Sequence, residues 1–576
     1  MKISVYTLGT RTLRGYTFAL LTAGIFGAYE AVAAVATQPN LIFILTDDQR
    51  YDTLGCTGNP VVQTPNIDQL ATEGTLFTEA TVTSAICTPS RASIFAGMYE
   101  RRHGINFNSG TALSPAAWQQ TYPMLLRKAG YFVGYVGKNH VPVGAAGYAT
   151  GLMDSSFDYW YAGHTHIYFY PKERPARVSR IKGIDEHMFD NAKAETQIEI
   201  LQEGVDNFLS PNQDFYNRAA RFLEKRPADR PFCLSLCFNL PHDAGTGSME
   251  DRPSDPELYK TGYHNSRAVI RAGLPSTYVA KADIQTPKLP ADVLYAQHRQ
   301  NSYDYVDTPE TMTERIIRRY QAITGIDQLV GRLRKQLQKL GLAENTVIIL
   351  TSDHGILRGE FGLGGKSMNY DTCLKVPMII YDPASAAKGQ RRSEQVQTVD
   401  IAATLLDYAG ADIPANMSGA SLKPLVNGKD VPWRTYAFSE NLWSTQFGLP
   451  RIESVRGEGW KYIRYFFNDR SLYNPTLKGL TRYLTSNRQA ETYRQWLDAS
   501  INGEPPVYEE LYHLKLDPSE TNNLANDPTC TDRLNTMRTV CQQLVKKARG
   551  DASVQPVVLQ LESERLEYHL THQKED

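Results

Sequence analysis

The chain has 576 residues, of which 41% are hydrophobic and 21% charged, a composition typical of a large globular protein with more than one domain. Lysine and arginine together number 61 against 62 aspartate and glutamate residues. This balance provides no bulk charge for binding nucleic acid or a membrane surface, so we expect no nucleic-acid partner, and an anionic ligand would need a local basic cluster.

The N-terminal segment has the features of a secretory signal. Basic residues precede an apolar stretch at residues 16–28, which is too short to span a bilayer, and small-x-small cleavage patterns follow at residues 31–36. These features predict a signal peptide over residues 1–36 and a periplasmic or secreted protein. No later stretch resembles a membrane span.

The first predicted strand ends at a pair of acidic residues. Residues 40–45 form an apolar stretch typical of a strand covered on both faces, and Asp47 and Asp48 follow it. Open α/β sheets bind ligands at the carboxyl ends of their strands, and adjacent carboxylates repel each other unless a cation lies between them. An acidic turn is the alternative, but the position after a buried strand favours a metal site.

A cysteine lies at the next transition from strand to helix. Cys87 and Arg91 stand between a strand-like stretch at residues 77–82 and a helix-like stretch that begins at Ala92. A thiol beside an arginine at a helix start would gain from the helix dipole as a nucleophile. An isolated cysteine is more often a small buried hydrophobe, so the neighbouring residues have to decide between the two roles.

The segment around Cys87 reads Cys-x-Pro-Ser-Arg, which resembles the signature of the type I sulfatases in the alkaline phosphatase superfamily. In that family the cysteine is oxidised during export to Cα-formylglycine (3-oxoalanine) by a formylglycine-generating or an anaerobic sulfatase-maturating enzyme. The resemblance also implies the fold. We expect an α/β protein with an alkaline-phosphatase-like, mixed but mostly parallel sheet sandwiched by helices, and a smaller C-terminal α+β subdomain on an antiparallel sheet.

A predicted strand over residues 131–136 leads to Lys138, Asn139 and His140. Lys138 and His140 are two positions apart, so an extended backbone points both side chains to one face, where they suit a sulfate oxygen and a hydroxyl group. Taken alone, the pair is better explained as a solvated lysine and a capping histidine. The segment is similar to the sulfatase element Gly-Lys-aromatic-His, from which Asn139 departs.

Further histidines flank the next strand. An aromatic-rich segment contains His164 and His166, which could line a leaving-group subsite, although a surface loop explains them at least as well. An apolar strand ends before His242, which corresponds to the sulfatase histidine that contacts the scissile ester. The polar insertion over residues 243–310 has the length of a substrate loop.

A long amphipathic helix is predicted over Thr313–Leu340, and an apolar strand over residues 346–350 follows it. Asp353 and His354 lie at the end of this strand, where the sulfatases have their remaining metal ligands, an Asp followed by Asn or His. Lys366 lies at the spacing of the family's second sulfate-binding lysine. The resemblance implies Ca²⁺, which prefers oxygen ligands. Because His354 is a softer ligand than Asn, it leaves the identity of the metal open, and Mg²⁺ is the alternative.

The sequence pattern changes after about residue 430. A turn-forming segment near residues 425–435 precedes predicted antiparallel strands, and residues 509–524 match the C-terminal signature of the sulfatases. We therefore predict a catalytic domain over residues 37–430 and a C-terminal subdomain over residues 431–576.

The resemblance implies a sulfate-ester hydrolase in which a divalent cation lies against the hydrated formylglycine made from Cys87. Arg91 would orient the nucleophile, and His140 would help to deprotonate its second hydroxyl. His242 would protonate the leaving alcohol, with Lys366 as the other candidate acid. The expected metal ligands are Asp47, Asp48, Cys87, Asp353 and His354, the expected catalytic residues are Cys87, Arg91, Lys138, His140, His242 and Lys366, and the expected substrate-binding residues are Lys138, His242, Lys366, His164 and His166.

Export, the neutral chain and the aromatic-bearing insertions favour a sulfated glycan as the substrate. His354 in place of Asn resembles the subgroup that includes iduronate sulfatases and many bacterial polysaccharide sulfatases. Three alternatives remain open. They are an arylsulfatase or choline-type sulfatase, a phosphonate or phosphodiester hydrolase of the same superfamily, and a glycan- or anion-binding protein with an unmodified Cys87.

Overall fold

The computed structural model describes most of the chain that follows the predicted signal peptide. The described residues are 38–164, 218–242, 257–285, 288–290, 293, 308–443, 451–467, 486–551 and 554–560. The signal peptide, His166 and residues 243–256, 286–287, 291–292 and 294–307 of the insertion lie outside them, so what is expected of these segments stays a prediction. In the described part, no helix has both the length and the apolar character needed to cross a membrane.

The described strands form one large sheet, one sheet of four strands and three strand pairs. The strands are β1 (Asn40–Thr46), β2 (Thr75–Phe77), β3 (Ala80–Thr81), β4 (Thr111–Ala112), β5 (Phe132–Asn139), β6 (Tyr159–His164), β7 (Phe232–Cys237), β8 (Thr346–Ser352), β9 (Leu357–Arg358), β10 (Gly364–Gly365), β11 (Met378–Tyr381), β12 (Gln390–Arg392), β13 (Val396–Gln397), β14 (Tyr436–Asn441), β15 (Arg451–Gly457), β16 (Trp460–Phe466), β17 (Tyr508–His513) and β18 (Val557–Val558).

The large sheet has eight strands in the order β12-β2-β11-β8-β1-β7-β5-β6. Its centre is parallel, because β1 pairs with β7 and β8, and β5 pairs with β6 and β7. Near one edge, β11 runs antiparallel to both β8 and β2. The predicted mixed, mostly parallel sheet is therefore confirmed.

Helices cover both faces of the large sheet. The described α-helices are α1 (Pro65–Glu73), α2 (Cys87–Ala96), α3 (Glu100–His103), α4 (Pro115–Trp118), α5 (Tyr122–Lys128), α6 (Leu152–Ser156), α7 (Arg218–Lys225), α8 (Glu257–Lys260), α9 (Arg267–Ala272), α10 (Pro309–Lys339), α11 (Asp371–Leu374), α12 (Asp400–Tyr408), α13 (Lys423–Val426), α14 (Ser486–Ala499) and α15 (Thr531–Arg549).

Alternate residues of β1 enter two different hydrophobic cores, because successive side chains of a strand point to opposite faces. Leu41 and Phe43 pack into the core that includes residues of α2, α5 and α12. Ile42 and Ile44 pack into the core that includes residues of α1, α7 and α10. This explains why the first apolar stretch of the sequence has no polar face: it is a central strand covered on both sides.

The C-terminal part is built on an antiparallel sheet, as predicted. Strands β14 to β17 pair in chain order, and α15 packs on them through a separate core that includes Val455, Tyr462 and Met537. The boundary at residue 430 stays a prediction, because Pro39–Asp576 forms one compact unit.

Two helices begin earlier than the sequence pattern indicates. Helix α10 begins at Pro309 rather than Thr313, because the Thr308 hydroxyl accepts a hydrogen bond from the Thr311 amide and caps the helix. Helix α2 begins at Cys87 itself rather than at Ala92. All residues of α2 are buried, so its polar side chains hide the amphipathic pattern that would mark its start.

A buried arginine joins α3 to the C-terminal sheet. Arg101 donates from Nε to Glu440 Oε2 (2.6 Å) and from Nη2 to Glu453 Oε1 (2.6 Å). The two carboxylates lie opposite each other on β14 and β15, and all three side chains are buried. Arg464 also binds Glu453 (2.7 Å from Nε to Oε2), so losing Arg101 would above all leave Glu440 without its cation.

We expect Arg101→Met to destabilise the fold by about 3–5 kcal/mol, because removing one partner of a buried ion pair leaves an uncompensated charge. The urea midpoint of unfolding, followed by circular dichroism, measures this. Arg267→Met is the matched control, since Arg267 pairs with Glu314 at the surface, where the pair contributes little. Equal midpoint shifts in the two variants would contradict the prediction.

Candidate active site

The functional side chains collect at the carboxyl ends of β1 and β8, which are parallel neighbours with Thr46 opposite Ser352. Both strands end at the same edge of the sheet, where Asp47 and Asp353 follow them. Backbone hydrogen bonds fix the exit of the chain, since Asp353 N donates to Thr46 O and Asp47 N donates to Leu240 O, each at 3.0 Å. The ligand edge expected from the sequence therefore receives carboxylates from two strands.

Asp48 has a left-handed backbone conformation with φ of 59°. Non-glycine residues adopt this conformation at a cost of about 1–3 kcal/mol, so surrounding contacts have to hold it. The Asp48 amide donates to Asp353 Oδ1 (3.2 Å), and Asp48 Oδ1 lies 3.3 Å from His354 Nδ1. The strained residue thus places a third carboxylate beside the imidazole.

Cys87 is the first residue of α2 and is buried against the same edge. Its Sγ lies 3.1 Å from Lys366 Nζ, 3.3 Å from His354 Nε2 and 3.7 Å from Asp47 Oδ1. Residues 40 to 279 positions away in sequence therefore converge on this one sulfur atom.

Charges around Cys87 lower the pKa of its thiol to about 6. Burial and the Asp47 carboxylate raise this pKa, but Lys138, Lys366 and His354 stabilise the thiolate and outweigh them. The site therefore stabilises negative charge at position 87, as a nucleophile or a bound anion there requires.

Two cations hold Asp47. Arg91 Nη2 lies 2.8 Å and Lys138 Nζ 2.5 Å from Asp47 Oδ2, and Arg91 Nε donates to Asp353 Oδ2 at 2.9 Å. Burial raises the pKa of Asp47, yet Lys138 and Arg91 keep it well below its usual range. Arg91, expected to orient the nucleophile, binds the two carboxylates and so fixes the groups that face Cys87.

Gly137 explains how Lys138 reaches the site. Its φ is 110°, and a Cβ at this position would lie 1.9 Å from Cys237 O, so only glycine lets β5 approach β7 this closely. His140 follows and is also buried. Burial and the neighbouring Lys138 hold the pKa of His140 well below its usual value, so its imidazole is neutral.

Lys366 and His242 approach from the side of Asp48. Lys366 Nζ lies 3.0 Å from Asp48 Oδ1, and His242 Nε2 lies 4.0 Å from Asp48 Oδ2. Burial raises the pKa of Asp48, but Lys366, His242 and His354 together lower it below its usual range. Asp48 is thus a carboxylate surrounded by cationic and imidazole groups.

The two histidines expected in a leaving-group subsite are not brought into this cluster by any described contact. His164 ends β6 opposite Asn139 of β5, and only its backbone is described. His166 lies outside the described residues. The leaving-group subsite therefore stays a prediction.

The side chains fit the divalent cation that the sequence predicts. His354 Nδ1 lies 2.9 Å from Gly355 O, and Nε2 lies 3.3 Å from Cys87 Sγ, on the side of the centre. A neutral His354 that donates its Nδ1 proton to this carbonyl would present Nε2 to a metal ion as an acceptor. Carboxylate oxygens and one imidazole suit a hard divalent cation. Two overlapping groups, in each of which the ligand atoms lie within 4.8 Å of one another, are Asp47, Cys87, Asp353 and His354, and Asp47, Asp48, Cys87 and His242.

The sequence analysis did not identify Arg50 and Glu360 as supports of the site. Arg50 Nη1 lies 2.5 Å from Glu360 Oε1 and donates to Ile356 O at 3.2 Å. It thereby ties the loop after Asp48 to the β9–β10 hairpin that leads to Lys366. Their closeness in sequence to motif residues was the available signal, but only the fold shows that the two charges meet.

Comparison with known proteins identifies the family. The family model described as Sulfatase matches residues 39–411. The chain belongs to the sulfatase family. A second model, described as N-sulphoglucosamine sulphohydrolase, C-terminal, matches residues 359–476, so the start of the C-terminal sheet also follows a sulfatase pattern.

The individual relatives are distant sulfatases. An N-acetylglucosamine-6-O-sulfatase of Bacteroides thetaiotaomicron is 26% identical over 477 residues, which cover 75% of this chain and 79% of that protein. The iduronate 2-sulfatase of Mus musculus is 28% identical over 431 residues, which cover 70% and 74%. The sulfatase resemblance is thus confirmed, and the protein is a sulfuric ester hydrolase.

Among solved structures, the phosphonate monoester hydrolase of Agrobacterium radiobacter has a TM-score of 0.60 at 21% identity, with 91% of this chain and 100% of that chain covered. A 2-O glycosaminoglycan sulfatase has a TM-score of 0.59 at 21% identity, with 90% and 95% covered. At this identity the likeness establishes the shared fold, not the substrate.

We expect Asp48→Asn to lower divalent-cation affinity at least about 100-fold, because even the loss of a group that only supports a ligand costs about 10–100-fold. Metal content measured by inductively coupled plasma mass spectrometry, after dialysis against buffered Ca²⁺ or Mg²⁺, tests this. Asp407→Asn is the control, since Asp407 pairs with Lys423 in a partly exposed position (3.3 Å). Unchanged metal content in Asp48→Asn would contradict the assignment of this carboxylate as a ligand.

Proposed function

We propose that this sulfatase hydrolyses sulfate monoesters on a sulfated carbohydrate from outside the cell. The observation that carries the proposal is the cluster of buried cations around position 87. Arg91, Lys138 and Lys366 are each at most 5% exposed and are aimed at carboxylates or at the Cys87 sulfur. The relatives add support for a sugar substrate, because their names refer to N-acetylglucosamine and iduronate sulfates.

The charge count of the centre favours a sulfate ester. When Asp47, Asp48 and Asp353 are all ionised, they contribute three negative charges, and the three cations Arg91, Lys138 and Lys366 balance them. A divalent cation added to this set leaves an excess of positive charge. An ester sulfate brings the compensating negative charge, and its oxygens accept hydrogen bonds from the ammonium groups.

We propose that Cys87 is converted to formylglycine and that Asp47, Asp48, Asp353 and His354 hold Ca²⁺, or alternatively Mg²⁺, beside it. The hydrated aldehyde would supply an oxygen nucleophile and the cation would stabilise negative charge on it. Conversion would need a formylglycine-generating or anaerobic sulfatase-maturating enzyme during export. The secretory features of residues 1–36 support export to the periplasm or beyond.

The remaining steps belong to the chain's own side chains. Lys138 and Lys366 bind the sulfate oxygens and neutralise the charge that grows on them during transfer. His242 stands 4.0 Å from Asp48 and donates a proton to the oxygen of the leaving alcohol. His140, held neutral by burial and Lys138, accepts a proton from a hydroxyl group at position 87. Arg91 keeps Asp47 and Asp353 oriented towards that position.

We expect Cys87→Ser to accept sulfate once and then stall, because a serine lacks the second hydroxyl that expels sulfate. Intact-mass spectrometry after incubation with substrate should show a sulfated protein, and steady-state turnover should fall at least about 1,000-fold, because the sulfate is not released from the serine. Cys56→Ser, at a half-buried cysteine outside the site, should keep activity and serves as the control. Sustained turnover by Cys87→Ser would contradict the mechanism.

The wild-type peptide that contains Cys87 tests the conversion directly. Its mass should be lower than that of the encoded peptide, because the aldehyde weighs less than the thiol. A mass that matches unmodified cysteine in active protein would reject formylglycine, and in inactive protein it would favour an anion-binding role.

We expect sulfated oligosaccharides to be hydrolysed with a kcat/KM at least about 100-fold above that of 4-nitrophenyl sulfate, because binding energy from the rest of the sugar is available only in the glycan. Released sulfate, measured by ion chromatography over a panel of defined sulfated glycans, gives this ratio. Activity confined to aryl or choline sulfates would reject the carbohydrate substrate, and faster hydrolysis of phosphonate esters would favour the phosphonate alternative.

A further inference from the structure

Arg358 lies in the β9–β10 hairpin, between His354 and Lys366, and pairs with Gly364 across it. The residue is buried, with 7% of its surface exposed. Its Nε atom is buried and has no hydrogen-bond partner in the described part of the chain. The guanidinium lies 5.9 Å from the centre of the Tyr320 ring, a contact that carries no negative charge.

Arg319 on α10 is a second buried arginine beside this hairpin, and it is also 7% exposed. Its Nη1 donates to the backbone carbonyl of Asp48 at 3.3 Å. Within the described ranges, no carboxylate forms an ion pair with either Arg319 or Arg358. Buried arginines are ordinarily paired with a carboxylate or another anion, because an uncompensated buried charge is costly.

The nearby carboxylates are already occupied by Arg50. Arg50 binds both oxygens of Asp52, from Nε at 3.0 Å and from Nη2 at 2.8 Å, and it binds Glu360 Oε1 at 2.5 Å. The other oxygen of Glu360 accepts a hydrogen bond from the Arg358 backbone amide. Asp52 and Glu360 are therefore the carboxylates near Arg358, and Arg50 forms ion pairs with both. Burial and the like charge of Arg50 lower the pKa of Arg358, and the Asp52 carboxylate offsets them only in part.

Arg319 contacts the reaction centre directly, and Arg358 is an electrostatic neighbour of Arg319. The Asp48 carboxylate contacts Lys366 and His354, and the Asp48 backbone carbonyl accepts a hydrogen bond from Arg319. Arg358 is attached to the same centre through the chain, four positions after His354 and eight before Lys366. An anion bound by both arginines would therefore lie on the flank of the centre that the hairpin and α10 form.

We propose that Arg358 and Arg319 form a subsite for a second oxyanion of the glycan, namely the carboxylate of a uronic acid or a second sulfate. This inference rests on the proposed carbohydrate substrate. A guanidinium presents its donors in a planar fork that matches two oxygens of a carboxylate or sulfate. The subsite would make the enzyme selective for sugars that carry two negative groups, one to be hydrolysed and one to be held.

The test compares three substrates that differ only in the second anion. They are a monosulfated disaccharide with a uronic acid, the same disaccharide with its carboxyl group reduced to an alcohol, and the reduced disaccharide with a second sulfate. We expect the wild-type enzyme to prefer at least one dianionic substrate over the reduced one by about 10- to 100-fold in kcat/KM, mainly through KM. The preferred member identifies the anion as a carboxylate or a sulfate.

Arg358→Met should abolish this preference, because methionine keeps an unbranched side chain against Tyr320 but carries no charge. Its kcat/KM for 4-nitrophenyl sulfate should stay at the wild-type value. Arg358→Lys should retain part of the preference, since the charge remains and the fork is lost. Arg391→Met, at an exposed arginine on the edge strand β12, is the control and should leave the ratios unchanged.

Arg319→Met provides the second variant if Arg358→Met does not fold by circular dichroism, and it should reduce the same preference. Equal losses of kcat/KM on all substrates, including 4-nitrophenyl sulfate, would show that the arginines stabilise the fold rather than bind an anion, and would overturn the proposal. Glycan hydrolysis that ignores the second anion would reject the subsite alone. An absence of glycan hydrolysis beside active cleavage of aryl sulfate would reject the carbohydrate substrate and the subsite together.

Discussion

The repulsion among three buried carboxylates is the constraint on which the rest of the structure depends. Asp47, Asp48 and Asp353 are at most 4% exposed and lie together because β1 and β8 are parallel neighbours that end at one edge. Such a group is stable only when cations surround it. Helix α2, strand β5 and the β9–β10 hairpin each deliver one of these cations, so the fold around the edge is a means of supplying positive charge.

This supply of charge divides the centre into two sides. Arg91 and Lys138 both bind Asp47, and all three are at most 1% exposed, so this side is fixed before any substrate arrives. Asp48 faces Lys366 and His242, and His242 is the most exposed of the group at 12%. In the proposed mechanism, the fixed side orients the nucleophile and binds a sulfate oxygen through Lys138, while the more open side supplies Lys366 and His242 to the substrate.

The sequence predicted what is local or carried by a motif. The apolar stretch before Asp47 predicted a central strand because burial on both faces removes polar residues from it. The sequence pattern did not predict that α2 starts at Cys87, because the polar residues of this helix are buried by contacts within the site. One such contact is the hydrogen bond from Ser90 Oγ to Asp353 O (2.5 Å). Periodicity reports burial against an apolar core, and it fails where a helix is buried against polar groups.

Contacts between charged residues that are distant in sequence could not be predicted, for a related reason. A charged residue gives no sign in one dimension of whether its partner is solvent, another side chain or a ligand. Arg50 and Arg358 look alike in sequence, yet Arg50 forms ion pairs with two carboxylates, whereas the Arg358 side chain forms none among the described residues. Because the fixed side of the centre is fully paired, the unpaired charge on the hairpin side is where selectivity among sulfate esters can arise. In the proposed enzyme, the reaction and the choice of substrate would thus use the same edge of the sheet through different cations.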